Sequence, residues 1–218
     1  MYTLVNKNKV ISGPRSWDKA FFGAVLKRKK LESGFIPRNP TDELPYEISA
    51  DIKIYPVKIV KPEINEFIEY HRGPSWEIKE SVAVATYEIV ETKLESAKTN
   101  YKEFLAAERY KKEVAGTSAT VQDIEVSVET SRDGRNTLVQ QYLIMGDNET
   151  VNWKFPEGWF TLTKEEFGVI IISCNEHIQG AFDWEKEISD QIDLETVVQD
   201  LVKYEEIIKP TESEVEND

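Results

Sequence analysis

The chain is poor in cysteine and histidine. Cys174 is the single thiol among 218 residues, so a disulfide framework is excluded and a reducing, intracellular setting is expected. The two histidines, His71 and His177, lie far apart and neither sits in a metal-binding spacing such as HExxH. Positive charge is also short. Lys and Arg number 27 against 40 Asp and Glu, giving a net charge of −13. So acidic a chain repels nucleic acid and anionic membrane surfaces, and neither is expected as a partner. No apolar run approaches the roughly 18 residues of a membrane span. The opening MYTLVNKNKVISG lacks a basic region followed by an apolar stretch, so no secretory leader is expected. A phosphate loop, a dinucleotide fingerprint and a GxSxG elbow are likewise missing.

What is present suits a folded protein. Hydrophobic residues make up 40% of the chain and aromatics 11%, enough for a sizeable core. Tyr2–Val5 and Val10–Ser12 flank Asn6-Lys7-Asn8-Lys9 and predict a hairpin. Ser16 is the expected N-cap of a helix over 17–30, with Phe21, Phe22, Val25 and Leu26 on one stripe. Its basic end, Lys27 to Lys30, fits the negative end of a helix dipole. Residues 31–50, with Pro37, Pro40 and Pro45, predict a loop. Strands are expected at 52–59, with an irregularity at Pro56, then at 64–70, 76–78 and 82–90, with Gly73-Pro74-Ser75 as a turn. Short connections between successive strands favour an antiparallel sheet.

Residues 91–114 contain no Gly or Pro and predict a long helix, ended by Gly116. Val90, Leu94, Ala97, Tyr101 and Phe104 follow a coiled-coil-like seam that stops at Glu108, so the helix either lies on its own domain or pairs with a second copy. Beyond it, 121–130 alternates as a strand with Ile124, Val126 and Val128 on one face, and Ser131 caps a short helix through Leu138, Val139, Tyr142 and Leu143. A long helix capped by Thr163 and Glu166 carries Phe167, Ile170, Ile171, Cys174, Ile178 and Phe182. A second helix is expected from Asp193 to Ile208, and the acidic end, 209–218, as disordered.

Between these helices lies VNWKFPEGWFTLTKEEFG, residues 151–168. With Pro156, Glu157 and Gly158 as a three-residue hairpin loop, Trp153, Phe155 and Trp159 share one surface, and Lys154, Phe160 and Leu162 the other. Three rings on one face either stack a sugar or fill a core. The greasy helix that follows favours core, since it needs a partner. Cys174 with His177 invites a nucleophile–base reading, but a thiol within an apolar stripe is inert packing. Ser131-Arg132-Asp133-Gly134-Arg135 either grips an anion at a helix start or caps the helix and forms surface ion pairs, and the second is the plainer account.

The order of the second half resembles a known pattern. Ile124-Glu125-Val126-Ser127-Val128 is followed by Ser131 to Arg135, Val151-Asn152-Trp153-Lys154, Leu162-Thr163, His177-Ile178-Gln179 and Phe182-Asp183. Over residues 100–195 this is similar to an uncharacterised domain family of tailed bacteriophages, often encoded near tail fibres. Trp153, Leu162, His177 and Phe182 fall on positions that the family favours. Ser12-Gly13-Pro14-Arg15 and Gly73-Pro74-Ser75-Trp76 resemble the front of other uncharacterised phage proteins. The resemblance implies a setting, in the virion tail or in the host cytoplasm during phage assembly, without a mechanism.

The expected architecture is α+β: an N-terminal antiparallel sheet with one helix (1–90), a connecting helix (91–115) and a small C-terminal α+β unit with the aromatic hairpin and two helices (116–208). No catalytic, cofactor or metal residue is expected. The expected activity is non-enzymatic, a tail or tail-fibre attachment or assembly protein working through protein contacts. Trp17, Trp76, Trp153, Phe155 and Trp159 are the candidate contact residues, and the 91–114 helix is the candidate self-association surface. Two alternatives stand: a module that binds host surface glycans through Trp153, Phe155 and Trp159, and an acidic regulator of a host protein.

Overall fold

Gly13-Pro14 and the residues around it decide where the first helix begins. The structure, a computed structural model, describes residues 1–32, 34–40 and 44–209. Of the acidic end expected from 209 onward, all but Lys209 lies outside the described residues. The fold is α+β, and the chain divides into two compact units, Met1–Glu91 and Thr92–Asp218.

In the first unit β1 (Tyr2–Asn6) and β2 (Lys9–Val10) form the expected hairpin. Lys7 and Asn8 both take left-handed φ, 47° and 64°, the two-residue turn whose twist matches that of its strands. Arg15 then exchanges two backbone hydrogen bonds with Tyr2 (2.7 and 3.0 Å), which holds the chain extended past Ser16. Helix α1 (Lys19–Arg28) therefore starts later than expected, and Asp18 is its cap, accepting from Phe21 N at 3.0 Å. Its buried residues Phe22, Val25 and Leu26 pack with Leu4, Ile52 and Ile54 of the sheet.

The sheet is mixed rather than antiparallel. β3 (Tyr46–Ser49), inside the expected loop, pairs with the first half of β4 (Ile52–Val60), whose other side pairs antiparallel with β1. From Val57 onward β4 runs parallel to β6 (Ala83–Glu91), and β5 (Glu69–Ile78) forms the edge, giving the order β2-β1-β4-β6-β5. Burial explains the swap: Ala83, Val84 and Ala85 are all buried, whereas β5 alternates between half-buried and exposed. Gly73-Pro74-Ser75 is a bulge in that edge strand rather than a turn. Arg72 faces Glu88 and Ser75 faces Thr86, so β5 carries one extra residue, with Gly73 at φ +126°. Most of the strand expected at 64–70 is a turn instead: the Asn65 side chain accepts from Phe67 N at 3.0 Å, and strand begins only at Glu69.

The second unit begins with α2 (Leu94–Val114). The helix read as a connector is a packed member of this unit, against α4 (Lys164–Leu194). Its buried apolar residues are Ala97, Tyr101 and Leu105, so the seam steps to Leu105 rather than Phe104 and is covered within the chain. Gly116, at φ +92°, ends it as expected. The strand expected at 121–130 is the second half of a hairpin: β7 (Thr117–Val121) precedes it, the chain turns on Gln122 and Asp123 at φ 51° and 61°, and β8 (Ile124–Val128) returns. Helix α3 (Arg132–Ile144) starts on Ser131, whose Oγ accepts from Gly134 N at 3.1 Å. Then come β9 (Thr150–Phe155), β10 (Gly158–Thr163) and α4, entered through the predicted capping box of Thr163 and Glu166. The inner faces of both hairpins and the α4 stripe, from Val126 and Leu162 to Phe167, Ile170 and Cys174, make one core.

The helix expected from Asp193 to Ile208 is broken into a short 3-10 turn at Val198–Leu201 and α5 (Tyr204–Ile208). Glu195 spans the break: its carboxylate accepts from Lys203 Nζ (2.6 Å) and from the Tyr204 hydroxyl (2.9 Å). Lys102 binds Asp193 at 2.6 Å, and the Tyr101 hydroxyl donates to Glu205 at 2.9 Å. Hydrogen bonds from Lys203 and Tyr204 hold the Glu195 carboxyl below its usual range, and Lys102 does the same for Asp193. Glu195 raises the Lys203 ammonium, while burial first and Glu195 second raise the Tyr204 phenol. The depressed carboxylates stabilise the fold fully above their unfolded values and lose this as pH falls through the folded ones. The raised groups stabilise it below their unfolded values and lose this as pH rises through the folded ones. Glu195→Gln is expected to flatten both limbs of the stability–pH curve, read by thermal melts from about pH 3 to pH 11.

Candidate functional site

The β9–β10 hairpin settles where each aromatic ring goes. Its loop has two residues, Pro156 and Glu157, because Gly158 (φ +148°) pairs directly with Phe155. Relative to the expected three-residue loop the register moves by one, and a one-residue move turns a strand over. Trp153 therefore faces Phe160, and Trp159 faces Lys154. Phe155, Phe160 and Leu162 are buried, with Trp153 half-buried edge-on to Phe167 at 5.1 Å. Trp159 stands on the opposite, solvent face, 71% exposed. The three rings expected on one surface are split between two.

Trp153 also lines a groove of about 750 Å³ in the second unit, bounded by Gly116, Ser127, Asp133, Thr137 and Phe155. Glu157, at the hairpin tip, accepts from both Ser127 N (3.0 Å) and Ser127 Oγ (2.6 Å), tying β8 to the loop. The Ser127 hydroxyl holds the Glu157 carboxyl below its usual range. The alternation of antiparallel pairing explains this bond, since Ser127 opposes Ser118 in a pair that leaves its N–H pointing outward.

Next in the chain to Val114 and Gly134 of the groove lining stand Glu113 and Arg135, members of an ion-pair network that sequence reasoning missed. Glu113, in the last turn of α2, is buried. It pairs with Arg109 one turn earlier and with Arg135 of α3 at 2.9 Å. Arg109 also binds Glu185 at 2.9 Å and lies over the Phe182 ring at 4.5 Å. The i,i+4 spacing of Arg109 and Glu113 was a visible signal, but two residues on one helix do not reveal that a third element closes over them. Arg135, read as an anion grip or a surface ion pair, is the third member. The adjacent carbonyls of α2 are satisfied from outside as well. His177 Nε2 donates to Lys112 O (2.8 Å) and Thr130 Oγ to Glu113 O (2.6 Å).

The remaining candidates are accounted for by packing. His177 is committed to that carbonyl, and Cys174 is buried in the core, where loss of water pushes its thiol up. Trp17 donates to Pro37 O at 3.1 Å and meets Tyr2, Phe22 and Tyr46 edge-on, as a filler of the first unit. Trp76 is half-buried against the cluster of Val5, Tyr55 and Ala83. Of the five candidate contact residues, Trp159 is the one the structure leaves bare. Among the described residues, no group of three or more His, Cys, Asp or Glu is placed to hold a metal, and no helix is long and apolar enough to cross a membrane.

No curated protein and no solved structure matches the chain. A family described as a domain of unknown function, DUF4376, matches residues 96–207, which enclose the groove, the ion-pair network and both hairpins. That match takes in more than half of the 218 residues, and the chain belongs to the DUF4376 family.

Proposed function

We propose that the chain is a bacteriophage tail component, or a factor that attaches or assembles tail fibres, and that it works through protein contacts rather than catalysis. The phage setting rests on the sequence resemblance. The contact role rests on one surface observation. Residues 136–146 and 167–175 contain no charged side chain in a chain that is 31% charged, and they lie on two neighbouring elements. Tyr142 of α3 rests against Gly168 of α4. On the same two helices Leu143, Ile144, Val169 and Ile172 remain exposed, Leu143 by 71% and Ile144 by 74%. Exposed large apolar side chains on stretches without charge are what an interface core offers.

Mass spectrometry of purified particles of the phage that encodes the chain tests the setting. A tail component is present at fixed copy number, and an assembly factor is found only in infected cells. The double variant Leu143→Glu, Ile172→Glu is expected to keep its denaturation midpoint, since both positions are exposed, and to lower the yield of fibre-bearing particles about tenfold. Unchanged particle yield on deletion of the gene sinks the proposal.

A further inference from the structure

The outer face of the β9–β10 hairpin is chemically unlike the apolar patch. Trp159 stands directly across from Lys154, and in the next pair on that face Thr161 stands across from Asn152. The Lys154 ammonium lies 5.8 Å from the Trp159 ring centre, and among the described residues no carboxylate pairs with it. Thr161 Oγ donates to Asn152 Oδ1 at 2.8 Å, which orients the amide and leaves its N–H groups free to donate. Gln122 adds a planar amide beside the strip by donating to Thr161 O at 3.0 Å. The core does not need this tryptophan, because Phe160 fills the inner position. A bare indole therefore sits in a rigid two-stranded frame, with an ammonium on one side and an amide–hydroxyl pair along the strand.

We infer that this strip binds a carboxylate-bearing sugar. The apolar C–H face of the ring stacks on Trp159, the carboxylate pairs with Lys154, and the Asn152 amide donates to a ring hydroxyl. Charge complementarity selects the acidic sugar over neutral and cationic ones. An apolar peptide fits less well, because Lys154, Asn152 and Thr161 surround the single anchor with polar groups. The inference is independent of the apolar patch on α3 and α4 and goes beyond the role proposed for it.

The test uses the full chain and two probes, tri-galacturonate and the neutral galactotriose, followed by amide and indole NMR shifts, with the Trp159 indole assigned from Trp159→Phe. Tri-galacturonate is expected to shift the Trp159 indole and to bind about tenfold more tightly than galactotriose. Lys154→Gln removes that preference. Trp159→Ala abolishes binding of both while the denaturation midpoint stays unchanged. The inference is overturned if tri-galacturonate at about 10 mM, weaker than most useful affinities, shifts nothing. It is overturned equally if Trp159→Ala binds as the parent does, or if a short polyglutamate produces the same shifts, which marks a bare charged patch.

Discussion

Replacing Glu113 with alanine is expected to destabilise the second unit by about 3–5 kcal/mol, the cost of breaking a buried ion pair from one side. The Glu113 side chain is 9% exposed, and its two oxygens go to different elements, one to Arg109 on its own helix and one to Arg135 on α3. Without it two guanidinium groups, 17% and 27% exposed, are left with the one carboxylate of Glu185, which pairs with Arg109 alone. Arg135 is then left without that partner, and the link between α2 and α3 goes with it. Glu113→Gln keeps an acceptor and loses the charge, so it is expected to fall between alanine and the parent. Arg135→Ala removes a more exposed partner and is expected to cost less, about 1–2 kcal/mol. Urea denaturation of the three variants gives the order. A Glu113→Ala loss below about 0.5 kcal/mol, the scale of an ordinary surface change, means that the network contributes little.

Glu113 also shows where sequence reasoning stops. Local signals were legible because their physics is local: the left-handed turn at Lys7 and Asn8, the Ser131 cap, the Thr163–Glu166 capping box, and the α4 stripe through Phe167, Ile170, Cys174 and Ile178. Each needs only residues within about one turn of one another. The misplacements share a different cause. Gln122-Asp123 makes a hairpin turn without the glycine or asparagine that advertises one. Gly73-Pro74-Ser75 carries the residues of a turn, but its pairing to β6 continues on both sides, which no local pattern records. The parallel pairing of β4 with β6 depends on which strand is buried enough to be central, and Glu113 on an arginine 22 residues away. The groove is legible only once β8, α3 and β9 have been brought together, so its residues carry no motif.

The hairpin register admits the sharpest single comparison. Phe160→Ala is expected to cost about 3–5 kcal/mol, since it removes a ring that is 8% exposed and in edge contact with Phe155 at 5.6 Å. Trp159→Ala, one residue away and larger by volume, is expected to change stability by less than about 0.5 kcal/mol, because the residue is 71% exposed and the Lys154 ammonium lies as far as 5.8 Å from its ring centre. The three-residue loop that the sequence suggests reverses this order, placing Trp159 inside and Phe160 outside. Thermal and urea melts of the two variants therefore separate the two registers without any ligand. Should Trp159→Ala prove the costlier of the two, Phe160 would face solvent, and the sugar strip of Trp159, Lys154 and Asn152 would lose its ring. The same pair of melts thus decides whether the hairpin has an indole to offer at all.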